Sequence, residues 1–170
     1  MAHEYCSACG FDGALYDDDA LVASLRALGP QWAALIAGAG PARQERPAPD
    51  VWSAIEYAAH SRDIIALHVF GVQQALTLDE PAFPLIADDL VESAAAGYAD
   101  TDPVQVVDDI ARETVRLADL ADDAGYTAWS RGLTIGDDRS DVRGLLEHAL
   151  HDSQHHLDDA ERGLAQLGDR

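Results

Sequence analysis

Four stretches of this chain carry apolar side chains at helical spacing, and three of them open on a recognisable helix start. The first follows Asp17-Asp18-Asp19, which supplies an N-cap and first-turn acids. It runs through Leu21, Leu25, Leu28, Trp32, Leu35 and Ile36, with Gly29-Pro30 as the point of a kink or break. The second opens just after Trp52 on Ser53-x-x-Glu56, a capping box, and runs to about Leu78. The third starts at Asp102-Pro103, an N-cap followed by proline at the first helical position. It continues to about Asp123 through Val106, Ile110, Leu117 and Leu120. The fourth runs from near Ser140 to Leu167 and ends at Gly168. Gly38 to Pro49 reads as a loop. Residues 79–102 read as irregular, with a short helix over Leu85 to Ala96. Trp129 to Asp138 reads as a loop in which Leu133-Thr134-Ile135 is extended. Four long helices with uneven connections predict an all-α fold, a four-helix bundle over residues 18–170 behind an arm over residues 1–17.

Composition agrees with helices and narrows the partners. At 170 residues the chain is long enough for one domain with a proper core. Hydrophobic residues make up 48% and aromatics only 6%, with Ala and Leu dominant, which favours packed helices. There are 31 acids against 11 basic residues, all arginine, for a net charge of −20. That balance argues against nucleic acid and against an anionic membrane, both of which need basic residues. No apolar run reaches about 18 residues, so no transmembrane helix is expected. The N-terminus does not read as a signal peptide, and two cysteines make no disulfide framework, so the expected location is cytoplasmic.

Histidine placement carries the chemistry. Four of the seven histidines fall between His148 and His156, and His60 sits mid-way along the second helix. Tyr57, His60, Ile64, Leu67 and Gly71 share one face there, so His60 points where the core should be. On the fourth helix, Leu146, Ala149, Leu150, Leu157, Ala160 and Leu164 form one apolar stripe at about 100° per residue. His148 and His155 lie nearly opposite it and His151 far from it. His156 lies on its flank, with Asp152 one turn before on the same side. Asp152 and His156 are an i, i+4 pair, the spacing that lets two side chains reach one ion. The first ligand set is therefore His60, Asp152 and His156, which leaves positions open for water or substrate. His151 and His155 form a rival i, i+4 pair. Asp63 and Glu56, about one turn to either side of His60, read either as surface charge and capping or as groups that orient His60. The plain alternative is hydrogen-bonded core histidines and a solvated face, but it leaves Asp152 as an orphan buried charge.

Cys6-x-x-Cys9 is half of a zinc ribbon. His3 offers a third ligand, and a fourth must come from elsewhere. A reduced pair on a mobile arm, a redox site and a small metal knuckle all remain open.

Trp52-Ser53-x-x-Glu56-Tyr57-x-x-His60-x-Arg62-Asp63, taken with His151-Asp152-x-x-His155-His156-Leu157, resembles the DinB superfamily. That group includes the YfiT-like metal-dependent hydrolases and the mycothiol-dependent maleylpyruvate isomerases. The resemblance covers roughly Asp19 to Gly168. It implies an up-down-down-up four-helix bundle. It also implies a metal triad of one histidine from the second helix and an i, i+4 pair from the fourth. These fall on His60, Asp152 and His156, with His155 matching a common non-ligand histidine. The isomerase branch is similar in placing an acid first in the pair.

The resemblance further implies a divalent metal, zinc most often and nickel or iron in other members, and frequent homodimers. Some members carry thiol-dependent transferase chemistry with a low-molecular-weight thiol such as mycothiol or bacillithiol. Two departures matter: Leu157-Asp158-Asp159 replaces the common Arg-Gly-Gln, and the isomerases' large C-terminal domain has no counterpart. Their particular substrate is therefore not expected here. The expected function is a metal-dependent hydrolase or thiol S-transferase acting on a small molecule. The ion would be a Lewis acid for water or a thiol, and Arg62 a partner for an anionic substrate. The alternative is a non-catalytic, stress-associated metal-binding dimer whose ion stabilises the fold.

Overall fold

A computed structural model describes residues 3–168, and of residues 88, 89 and 91 the backbone alone. Residues 1, 2, 169 and 170, which the expected arm and bundle ranges include, lie outside the described residues. The long helices are α1 (Asp18–Gly38), α2 (Ala54–Thr77), α4 (Pro103–Ala124) and α5 (Val142–Gly168), with a short α3 (Asp88–Ala95) between α2 and α4.

Each start signal works as its chemistry dictates. Asp17 Oδ1 accepts from the Ala20 N–H at 2.8 Å. Asp102 Oδ1 accepts from Val104 and Gln105 at 3.0 and 2.8 Å. Ser53 and Glu56 form the reciprocal capping box. Glu56 is buried, not a surface charge: Arg46 holds its carboxylate, and the Ser53 N–H and hydroxyl donate to it at 2.9 and 2.8 Å.

Pro30 does not break α1, which runs through it to Gly38. The residue before a proline resists the helical region because its Cβ and N–H meet the proline ring. Gly29 has no Cβ, which removes part of that conflict. The same absence lets α4 come close: a Cβ on Gly29 would stand 2.8 Å from the Ala111 Cα.

Helix directions follow from named contacts. Arg26 pairs with Asp119 and Asp122 at 2.6 and 2.7 Å, while Asp19 meets Tyr126, so α1 and α4 are antiparallel. Asp18 pairs with Arg143, and the Trp32 Nε1–H donates to Ser153 at 2.9 Å, so α1 and α5 are parallel. His60 lies beside His156 and Gly71 against Leu145, so α2 and α5 are antiparallel. The bundle is up-down-down-up, with α1 and α2 on one diagonal and α4 and α5 on the other. Trp32, Leu25, Leu28, Ile55, Ile65, Ile110, Leu117, Leu146 and Leu150 fill its centre.

Two sequence expectations change. α1 has a mean hydropathy of 1.3 over an 18-residue window, long and apolar enough to cross a membrane by composition. Leu21, Val22, Leu25, Leu28, Trp32 and Ile36 are nonetheless buried in the bundle core, which accounts for that hydropathy. The 129–138 loop is also more ordered than expected. It carries β2 (Gly132–Ile135), which pairs antiparallel with β3 (Asp138–Asp141) and parallel with β1 (Ala82–Phe83). β1 is two residues long, held by Thr134 N–H to Pro81 O at 2.9 Å and Gly136 N–H to Phe83 O at 2.8 Å. A strand that short has no alternating pattern to read.

Candidate metal centre

His60 projects from α2 toward α5, where Asp152 and His156 stand one turn apart. His60 Nε2 is 3.9 Å from Asp152 Oδ1, and His156 Nε2 is 3.6 Å from the same oxygen. One ligand atom from each residue falls within 4.8 Å of the others. These separations are too long for hydrogen bonds. Ligand atoms held at about 2.0–2.1 Å around a tetrahedral ion stand about 3.4 Å apart, close to what is seen. Asp152 Oδ2 is buried and finds no hydrogen-bond partner among the described residues. An acceptor-only carboxylate left so is costly unless a cation meets it, so the residues present fit a divalent ion.

The surroundings set the ring orientations. His156 Nδ1 lies 3.1 Å from Asp159 Oδ2, which turns Nε2 toward Asp152. Tyr57 stacks on His156 at 5.3 Å, Trp52 lies 5.4 Å from the His60 ring, and Tyr98 meets His60 edge-on at 6.2 Å. Burial pushes the Asp152 carboxyl up, but His60, His156 and His148 outweigh it and hold the group below its ordinary range. Burial pushes the His156 imidazole down, and His60 adds to this against the opposing pull of Asp152 and Asp159. Both shifts favour a carboxylate and a neutral imidazole, the forms that bind metal.

An apolar cavity of about 370 Å³ opens along the same α2–α5 seam. Ile64 and Leu67 of α2, Leu145 of α5, and Phe83, Leu133 and Ile135 of the small sheet line it, with His68 and His148 as polar members. Ile64 is one turn from His60, and His148 one turn from Asp152, so the cavity's lining begins one turn along α2 and α5 from the triad. His68 was not singled out from sequence. Its spacing of eight from His60, with Ile64 between, is the signal that places all three on one side. Its Nδ1–H donates to the Ile64 carbonyl at 2.8 Å. Burial pushes its pKa down to about 4 against the pull of that carbonyl, with His148 assisting, so the ring is neutral near pH 7.

The remaining candidates go elsewhere. Asp63 lies against Arg62, whose Nε donates to it at 2.8 Å, and beside Tyr98. Burial raises the Tyr98 phenol to about 12, and Asp63 adds to this. His151 and His155 face the N-terminal arm, which packs on α5. Phe11 stacks on His151 at 5.0 Å, and the Glu4 N–H donates to the buried Glu147 at 2.9 Å. His3 pairs with Glu147 at 2.7 Å. Cys6 and Cys9 are free thiols on this arm. The Cys6 thiol is lowered to about 6, chiefly by the amides of Cys9 and Ala8.

The fold of this chain is similar to that of YfiT from Bacillus subtilis. The two superpose with a TM-score of 0.75 over 89% of this chain and 87% of that one, at 15% identity. YfiT is described as a probable metal-dependent hydrolase with an unusual four-helix bundle topology. At that identity the likeness establishes the fold alone. No family model and no curated protein matches the sequence.

Proposed function

We propose that this chain is a metal-dependent enzyme, a hydrolase or thiol-dependent transferase, acting on a small molecule beside His60, Asp152 and His156. The observation that carries the reading is the buried Asp152 carboxylate, whose Oδ1 faces both imidazoles and whose Oδ2 has no hydrogen-bond partner among the described residues. The description of YfiT supports the hydrolase form. Zinc suits a two-imidazole, one-carboxylate set. Bound there, a divalent ion supplies Lewis acidity at a position open to small molecules.

The chain's own residues supply the rest. Asp159 fixes the tautomer and angle of His156. Trp52, Tyr57 and Tyr98 wall the imidazoles and exclude water from one side. The cavity takes the apolar part of the substrate, and His68, neutral at pH 7, offers it one polar group. Arg62 is tied to Asp63 and stands less ready to bind an anion than its sequence position suggests.

The test is a panel of small esters, amides and electrophiles, assayed with and without an added low-molecular-weight thiol. Turnover by the zinc-loaded protein should fall to background on chelation and in His156→Ala. Turnover that survives both changes would place the chemistry away from this triad.

A further inference from the structure

The arm and α5 bring together a second set of ligands that the triad does not use. We propose that Cys6, Cys9, His151 and His155 form a structural zinc site that staples the N-terminal arm to α5. One ligand atom from each of the four lies within 4.8 Å of the other three. Two thiolates and two imidazoles are the soft, four-coordinate donor set of closed zinc sites.

The backbone of the arm is shaped for this. Tyr5 bridges Asp12, the Cys6 N–H donates to the Phe11 carbonyl at 2.9 Å, and the Gly10 N–H donates to the Cys6 carbonyl at 2.9 Å. The result is a tight turn over Cys6-Ser7-Ala8-Cys9-Gly10 that closes with Gly10 at φ +79°, a conformation only glycine adopts freely.

The two histidines are poised on the other side. His151 Nε2 and His155 Nδ1 are buried without a hydrogen-bond partner among the described residues. Their opposite nitrogens face carboxylates: His151 Nδ1 is 2.9 Å from Glu4 Oε1, and His155 Nε2 is 3.5 Å from Asp159 Oδ2. Carboxylates behind the rings leave the orphaned nitrogens to the metal, as in most protein zinc sites. Glu4 also lies 3.2 Å from the exposed His148, so it stands behind His151 between two imidazoles. Phe11 is the arm's one buried large apolar side chain among the described residues, and the contacts of His3 and Glu4 with Glu147 are polar. An ion there links sequence positions more than 140 residues apart, as the neighbouring contacts of Glu4 with His148 and His151 do.

Cobalt(II) replacing zinc in the full-length protein reads this site separately from the triad, because only this site has sulfur. Wild type should show a near-ultraviolet sulfur-to-cobalt charge-transfer band and the intense visible bands of a tetrahedral ion. The bands should persist in His60→Ala/His156→Ala and vanish in Cys6→Ser/Cys9→Ser. His151→Ala should weaken them and His148→Ala should not. Zinc content should be about two ions per chain in wild type and about one in the cysteine variant. A second measurement does not need the variants to fold: zinc should shield both thiols of wild type from a thiol reagent, and a chelator should expose both. A wild-type protein with no charge-transfer band, with thiols equally reactive in zinc and in chelator, or with Cys6 and Cys9 joined as a disulfide under reducing conditions would overturn the proposal. None of those results bears on whether the triad binds metal.

Discussion

Asp159 Oδ2 lies 3.1 Å from Nδ1 of His156. The same oxygen is 3.5 Å from Nε2 of His155, and the other carboxylate oxygen pairs with Arg162. One carboxylate thus stands behind a histidine of each proposed metal site. It sits in the Leu157-Asp158-Asp159 segment of α5.

Asp159→Ala should therefore weaken metal at both sites while leaving every ligand in place. Loss of such a group behind a ligating histidine reduces affinity by about 10- to 100-fold. Competition with a chromophoric chelator, read for each class of site, checks this. Unchanged affinity at both would remove Asp159 from the account.

His68 should make the metal-free protein acid-sensitive. Its native pKa is lowered to about 4 from the ordinary 6.5, so between those values the unfolded chain binds a proton that the native state does not. Stability is then unaffected above pH 6.5 and falls as pH drops through the window. The loss is at most about 1.4 kcal/mol per pH unit, and about 3 kcal/mol in all. Urea unfolding of the metal-free protein and of His68→Leu at several pH values compares the slopes. The variant should be flatter over pH 6.5 to 4; equal slopes would contradict the buried neutral ring.

Gly29→Ala should destabilise the bundle even though alanine is the better helix former. The new Cβ would meet the Ala111 Cα at 2.8 Å and Thr114 Oγ1 at 3.2 Å. Overpacking costs about 1–3 kcal/mol, against a propensity gain near 1 kcal/mol, and because the clash is with backbone a net loss of up to about 2 kcal/mol is expected. Thermal unfolding reads it, and a raised Tm would show that α1 and α4 are less tightly apposed.

Filling the cavity should separate substrate binding from metal binding. Leu67 lines the cavity and is partly exposed, so Leu67→Trp adds bulk without disturbing the core. Metal content should stay the same while KM rises for substrates with an apolar portion. An unchanged KM would place the substrate elsewhere.

The helices were legible because their signals are local. Asp17, the Ser53/Glu56 box and Asp102-Pro103 each act within four residues, and the structure uses all three. Helical phase also placed Asp152 and His156 on the flank of the α5 stripe, beside His60. What the sequence hid depends on contacts distant along the chain. β1 exists only because Thr134 and Gly136 meet it. Phase put His151 and His155 on the side away from the core, which is correct, but that side is covered by the arm. No local pattern says that Cys6 and Cys9 return to meet a helix near the other end of the chain.

Elemental analysis is the most direct measure of the central claim, that His60, Asp152 and His156 hold a divalent ion. The sample is the Cys6→Ser/Cys9→Ser protein, purified without a histidine tag and reconstituted with zinc, with and without the further change His60→Ala/His156→Ala. The account predicts about one ion per chain in the first and none in the second. No bound ion in the first, or the same ion content in both, would contradict it.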